Sequence, residues 1–324
     1  MLRPSIAILG AGAIGSLLAA RLAAAGSDVT LVARGPRLAQ IRAEGLKIRD
    51  LDGPRAITLP VTEALRSPVS VLFLCVKGPA IEAALRGNLD GIGPDTRIVP
   101  LVNGIPWWFF DDLGHPVRAV DPDGALFRLV PFQQIVGAVT MMTAGFEPDG
   151  TVVSTIPHFL ALGPTIPDGP RPVDLADELT AAGIALDRAD YIRPLVWEKL
   201  ALNAATNPLS ALTGQTLAQI AADPASCTRA TALAREIEVL SAAYGNPIVV
   251  SDSLAARLTK AGAFRTSMLQ DAEAGRALEL APITHAPLEL AGARGVAMPE
   301  TARLLADLQA VRPTQTLSFQ DIPS

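Results

Sequence analysis

The sequence predicts an α/β fold: a doubly wound, mostly parallel sheet in an N-terminal domain, followed by an all-α C-terminal domain. Three observations lead there. The glycine-rich run Gly10-Ala11-Gly12-Ala13-Ile14-Gly15 lies between a short apolar stretch and a helical pattern. Apolar runs of strand length alternate with helical stretches through the first part of the chain, the rhythm of a parallel sheet with crossover helices. From Ile192 onward β-rich runs vanish and long helical patterns take over. The predicted boundary divides the chain into residues 1–187 and 188–324.

Taken in order, Ser5–Leu9 is short and apolar, as a parallel strand buried on both faces must be. Ile14–Ala25 has helical character, and Gly26 ends it. Asp28–Ala33 is the second strand, completing a βαβ unit of the usual size. Gly45–Thr58 reads as a smaller β excursion turning at Asp52-Gly53-Pro54. Val69–Val76 is a strongly apolar strand, Pro79–Leu85 starts a helix, and Thr96–Val102 and Ile135–Met142 are further strands. Thr151–Ile156, Phe159–Leu162, helical Asp174–Ala182 and strand Ile184–Leu186 close the domain. Helical patterns then cover 192–206, 224–244, 251–263, 276–295 and 299–311, and the last dozen residues read as a loose tail. Residues 104–134 interrupt the order with Trp107, Trp108, Phe109 and Phe110. So long a connection reads either as a packed lid or contact surface, or as a hydrophobic plug over the sheet edge.

The 324 residues are 49% hydrophobic and 18% charged, with a formal net charge of −5. This is globular and apolar rather than disordered, and it offers no basic field for nucleic acid. No run of 18 uncharged apolar residues suggests a membrane span. Arg3 followed by Ile6–Ala20 resembles a secretory leader, but glycines interrupt it and the βαβ rhythm needs it as its first strand and helix. Two cysteines, Cys75 and Cys227, fit a reducing, cytoplasmic setting. His115, His158 and His285 are far apart and lack metal-ligand spacing, so no metal is expected.

The glycine run follows a strand and opens a helix, the context in which G-x-G-x-x-G is informative. Gly10 permits a tight turn, Gly12 lets the backbone approach a pyrophosphate, and Gly15 lets helix and strand pack closely. The helix N-terminus adds free N–H groups and a favourable dipole for phosphate. Residues 10 to 15, with Ala11, Ala13 and Ile14 between the glycines, are therefore candidate cofactor contacts in a Rossmann-type domain. At the end of the second strand an NAD enzyme usually carries an acid for the ribose 2′-OH. Here Arg34 stands in that place. A guanidinium can hold a 2′-phosphate through paired charge-assisted bonds, with Arg37 nearby to help, so NADP(H) is expected. Lys77 and Asn103 each end an apolar strand, where ligands bind in open α/β sheets. Either can instead belong to a following turn, Asn103-Gly104 being a common turn pair.

In the second domain Lys199, Asn203 and Asn207 recur every fourth residue, stacked along one helix face. The residues between them are nearly all apolar, so the helix is expected to be buried, and its lysine and amides then need polar partners. The alternative is a solvated stripe on an amphipathic helix. Reduction of a ketone by hydride transfer leaves an alkoxide that must receive a proton, and burial lowers a lysine pKa toward neutrality. Lys199 is thus the candidate general acid. Ser267 with Gln270 fits a capping box, and the same helix start suits an anionic substrate group. Glu279 reads either as an exposed helix residue or as a group orienting Lys199 or a substrate hydroxyl.

Together these motifs resemble the ketopantoate reductase (2-dehydropantoate 2-reductase) family over most of the chain. The resemblance rests on Gly10–Gly15, Arg34, Val76-Lys77, Val102-Asn103-Gly104, Lys199 through Asn207-Pro208-Leu209-Ser210-Ala211-Leu212, and Ser267-Met268-Leu269-Gln270-Asp271 with Gly275-Arg276 and Glu279. It implies NADPH reduction of 2-dehydropantoate to (R)-pantoate, a step in pantothenate biosynthesis, in a cleft between the two domains. It implies Lys199 as general acid, Asn203, Asn207 and Ser267 as substrate ligands, and Glu279 as a catalytic residue that also contacts the ligands. Lys77 and Asn103 match residues at the cofactor and substrate cleft, and a homodimer through the helical domain is implied by the family alone. Two departures bear on the substrate: Leu278-Glu279-Leu280-Ala281 stands where relatives commonly carry Thr-Glu-Ile-Asp, and the aromatic 105–134 segment is longer than in compact members. Rival readings are an opine- or hydroxyacid-type dehydrogenase with a different substrate, and a non-enzymatic NADP-binding sensor.

Overall fold

The computed structural model describes residues 3–109, 114–167 and 175–315. It divides into two compact units, one of residues 1–102 and 128–192, the other of residues 103–127 and 193–324. The aromatic segment, which the sequence places before the expected boundary, thus groups with the C-terminal helices.

The first unit begins with β1 (Ile6–Leu9), α1 (Ala13–Ala24), β2 (Val29–Val32) and α2 (Gly35–Glu44). A hairpin follows, β3 (Leu46–Asp50) and β4 (Gly53–Ile57), then β5 (Val61–Thr62), β6 (Val71–Leu74), α3 (Ile81–Arg86) and β7 (Arg97–Pro100). After the excursion into the other unit and α4 (Ala125–Leu129) at the return come β8 (Val136–Thr140), β9 (Gly145–Phe146), β10 (Val152–Val153), β11 (His158–Pro164), α5 (Ala176–Ala181) and β12 (Ile184–Arg188). The main sheet has the order β5-β2-β1-β6-β7, all parallel. β1 is central and its neighbours lead away on opposite sides, so the order reverses between β1 and β6, the switch point at which α/β sheets bind ligands. The sequence reading expected one mostly parallel sheet. Two smaller sheets accompany it: β4-β3-β10-β9, and β12-β11-β8, where β8 runs antiparallel to β11. Ile6, Ile8, Leu17, Leu18, Leu31, Val71 and Phe73 form the centre of the core. Beneath them Arg21 (8% exposed) bonds Asp50 (9%) at 2.7 Å and the Ala182 carbonyl at 2.5 Å, fixing α1 to β3 and to the end of α5. A buried ion pair of this kind persists only with its remaining hydrogen-bonding groups satisfied.

The second unit is helical: α6 (Arg193–Thr213), α7 (Leu217–Ala222), α8 (Pro224–Ala243), α9 (Leu254–Ala261), α10 (Ser267–Glu273), α11 (Ala286–Arg294) and α12 (Pro299–Val311). A single π-helical turn, Ala281–His285, precedes α11. α6 is the central element, packed by α8, α10 and α12. It continues beyond residue 206, where the expected helical pattern ends, and runs through Pro208. Its burial compensates for the hydrogen bond that a mid-helix proline forfeits. Of the described aromatics in the 103–127 segment, Trp107, Trp108 and Phe109 are buried at 3%, 1% and 0% exposed, and Phe127 is half-buried. Phe109 meets Trp197 of α6 edge-on, with centroids 5.3 Å apart, and the Arg193 guanidinium lies over the Phe109 ring at 5.5 Å from its centroid. Phe110 lies outside the described residues.

Phe109→Ala should destabilise the helical unit by about 3–5 kcal/mol, the usual result of emptying a buried aromatic site. Denaturant unfolding followed by tryptophan fluorescence measures this, since Trp108 and Trp197 flank the cavity.

Candidate active site

In the first unit the expected cofactor residues gather at the carboxyl ends of β1, β2 and β6. Gly10 has φ +113°, a conformation that side chains rarely adopt, and a Cβ there would lie 2.7 Å from Val76 Cγ1 and 3.0 Å from the Cys75 carbonyl oxygen. Gly15 is constrained by packing: a Cβ would collide with the Gly10 carbonyl oxygen and lie 2.9 Å from Cys75 Cβ. Gly12 is different. It is exposed, and the nearest protein atom to a Cβ there is 3.8 Å away. What needs a bare backbone at Gly12 is therefore outside the fold, as a ligand would be. Gly12 is also the N-cap of α1 and makes no side-chain cap, so the helix start presents its N–H groups uncapped by any side chain.

Burial raises the Cys75 thiol pKa to about 12, leaving it an inert neutral group beneath the glycine turn. Arg34 is exposed at the N-cap of α2, just past β2. Its guanidinium rests on Gly87, where a side chain would displace it. Arg37 is anchored at one nitrogen: Nη1 donates to Gln40 Oε1 at 2.8 Å and to the Gly150 carbonyl at 3.0 Å and the guanidinium stacks on Phe146 at 4.9 Å, while Nε and Nη2 are buried with no hydrogen-bond partner among the described residues. Lys77 is exposed at the start of the short turn after β6.

The second unit holds the remaining candidates. On α6, Trp197, Leu200, Ala201, Ala204, Ala205 and Leu209 are each 2% exposed or less. Lys199 and Asn203 are half-buried and Asn207 is 7% exposed, so the face is not a solvated stripe. Burial of the Lys199 ammonium lowers its pKa from 10.5 to about 8. Asn203 Nδ2 is buried with no hydrogen-bond partner among the described residues, a cost that a ligand acceptor would relieve. Asn207 accepts from Thr206 Oγ1 at 3.3 Å.

The capping role expected of Ser267 falls to its neighbour. Thr266 is the N-cap of α10, its hydroxyl accepting from Leu269 N–H at 3.1 Å and meeting Ser210 Oγ of α6 at 2.5 Å. Ser267 is thereby left exposed on the first residue of the helix. This Ser210–Thr266 link, which the sequence reading missed, pins α10 to the helix that carries Lys199. A threonine directly before Ser267 was the available signal. Asp271 and Arg276 close the next turn by an ion pair of 2.7 Å and a backbone bond of 2.9 Å. Glu279, half-buried, is the middle of a three-residue turn closed by Leu280 N–H to the Leu278 carbonyl at 2.9 Å. It lies just ahead of the helix rather than on its exposed face. Asn103 belongs to this unit, whereas Lys77, its expected companion at the strand ends, belongs to the other.

The comparisons agree in direction. The model of the family described as ketopantoate reductase PanE/ApbA matches residues 6–166, and its C-terminal counterpart matches 191–312. A 2-dehydropantoate 2-reductase of Mesorhizobium japonicum is 35% identical over 298 residues, covering 88% of this chain and 90% of its own. The crystal structure of 2-dehydropantoate 2-reductase from Geobacter metallireducens superposes with a TM-score of 0.81 at 26% identity, covering 96% of this chain and all of that one. D-mandelate dehydrogenase, solved with NADH and anilino(oxo)acetate, shares the fold with a TM-score of 0.80 at 23% identity, over 97% of this chain and all of that one.

A charge held in a desolvated site opposes folding. Lys199→Met should therefore raise stability at pH 7, by about 1–2 kcal/mol after allowing for partial solvent screening. The folded-state pKa lies below the unfolded one, so the penalty is full below pH 8 and disappears as pH rises from there to 10.5. Melting temperatures of the two proteins should converge over that window.

Proposed function

Because this chain belongs to the ketopantoate reductase family, we propose that it reduces a small 2-oxo acid to the 2-hydroxy acid with NADPH, taking 2-dehydropantoate to (R)-pantoate. The observation that carries the reading is the Lys199 ammonium, desolvated to a pKa of about 8 on a helix that also offers Asn203 and Asn207. Such a group is protonated near neutral pH yet acidic enough to give its proton up.

The residues of the first unit suit a nicotinamide dinucleotide. The uncapped start of α1 and the bare backbone of residues 10–15 fit a pyrophosphate. Arg34 takes the 2′-phosphate, with Arg37, held at Nη1 by Gln40 and Gly150, nearby to help. Lys77 adds positive charge at the end of β6. When bound, the dihydronicotinamide supplies hydride to the substrate's carbonyl carbon. Lys199 then delivers its proton to the resulting alkoxide oxygen and is restored by water. Before that step its charge favours the electron-rich carbonyl oxygen. Asn203 Nδ2, Asn207, Ser267 and Asn103 bind the substrate's oxygens, and Glu279 contacts both ligands. The first unit is thus the NADP-binding domain and the second the substrate domain. The two thiols fit a reducing, cytoplasmic setting, and no described helix is long and apolar enough to cross a membrane.

Initial rates with NADPH and a panel of 2-oxo acids test the reaction: 2-dehydropantoate should be turned over fastest, and no turnover of any member sinks the reading. A strict requirement for an added amine would favour the opine-type alternative instead. Lys199→Ala should lower kcat/KM by about 10²–10⁴-fold with NADPH binding retained. The wild-type rate should fall as pH rises through about 8, as the acid form of Lys199 is lost. Arg34→Ala should weaken NADPH binding by about 10–100-fold, the worth of hydrogen bonds to a charged group, and leave NADH binding unchanged.

A further inference from the structure

The π turn ahead of α11 leaves one backbone carbonyl without a donor from its own helix. In that turn Ala286 N–H bonds the Ala281 carbonyl, five residues back. The next donor in the same register would be residue 287, which is proline and has no N–H. The Pro282 carbonyl therefore has neither Ala286, already used, nor residue 287. A half-buried carbonyl in this position needs a partner from elsewhere, and it has one: Ile105 N–H donates to it at 2.8 Å. Gly104 makes the approach possible. It is buried with φ +75°, and a Cβ there would collide with the Pro282 carbonyl oxygen and lie 2.5 Å from its carbon and 2.8 Å from Pro282 Cβ.

The bond joins two short segments of special interest. Asn103 directly precedes Gly104, and Glu279 lies three residues before Pro282. We propose that Gly104 and Pro287 are positioning residues for the reaction. Pro287 keeps the Pro282 carbonyl vacant, Gly104 lets the chain reach it, and the resulting strap fixes Asn103 with respect to Glu279. The proposal rests on the reading that these two residues contact the ligands. Displacing a reacting arrangement by about 1 Å can cost about a hundredfold in rate, so a rigid backbone strap is a sensible means of holding it.

Three variants and two readouts test this. Gly104→Ala drives a methyl into the Pro282 carbonyl. Pro287→Ala leaves the side chains of the site alone but gives that carbonyl a competing donor within the helix. Gly114→Ala is the control: Gly114 also has positive φ, +71°, but nothing lies within 4 Å of a Cβ there, so it carries the backbone strain without the collision. Steady-state kinetics with 2-dehydropantoate and hydrogen exchange at the Ile105 amide are measured on each.

The expected result is a slowly exchanging Ile105 amide in the wild type, speeded at least tenfold in Gly104→Ala and less in Pro287→Ala. kcat should fall by about 10–100-fold and severalfold respectively, with the Kd for NADPH within twofold of wild type. Gly114→Ala should match the wild type in both readouts. Should Gly104→Ala fail to fold, Pro287→Ala decides through the same pairing of faster exchange with lower kcat. Wild-type kcat in the folded variants, or an Ile105 amide that already exchanges freely in the wild type, overturns the proposal while the proposed reaction stands. A wild type that reduces no 2-oxo acid but keeps a protected Ile105 amide overturns the functional reading and, with it, the positioning role.

Discussion

The constraint on which the helical unit depends is the desolvation of α6. This helix is packed by α8, α10 and α12 and meets Phe109 through Trp197. Its apolar surroundings stabilise the unit, and they also make the ammonium at position 199 uncomfortable. Core and chemistry are therefore properties of the same element. The packing that excludes water from Leu200 and Ala204 also brings the lysine's basicity down, so a better-hydrated helix would carry a lysine closer to its ordinary pKa. Under the proposed function this is stability surrendered at a functional position, a common exchange.

Much of the first unit was legible because its determinants are local. Gly10 and Gly15 answer to atoms within the same strand–turn–helix unit and to the adjacent end of β6, and Arg34 directly follows the strand that places it. Strands β1, β2, β6 and β7 were each visible as apolar runs. The separation into three sheets was not, since nothing local tells whether β8 joins a parallel neighbour or pairs antiparallel with β11. The helix α2 was also missed, although Pro36 stands in its first turn, where proline is favourable. The end of α6 was placed too early, at 206, because tertiary burial carries the helix through Pro208. The aromatic segment was illegible for a similar reason. Its place is decided by Trp197 and Arg193, far along the chain.

The motifs that mark the family divide unevenly between chemistry and architecture. Asp271, Gly275 and Arg276 build a turn, with the carboxylate and guanidinium facing each other and the chain released toward Glu279. Thr266 and Ser210 bind one helix to another. Lys199 and Asn203 are different, since one carries a depressed pKa and the other a polar atom with no partner among the described residues. Sequence matching weighs all of these alike. The structure separates residues that bind one element to another from a lysine that burial makes more acidic.

The discontinuous make-up of the helical unit has a consequence for biosynthesis. Trp107, Trp108 and Phe109 leave the ribosome about ninety residues before Trp197, the partner against which Phe109 closes. At roughly 5–20 residues per second, these rings wait several seconds or more with no finished core to enter. During that interval the nascent chain displays a sticky aromatic cluster in the middle of an otherwise folding α/β half. Holdase chaperones, or slow codons placed to let the first half settle, would act most effectively on this stage of translation.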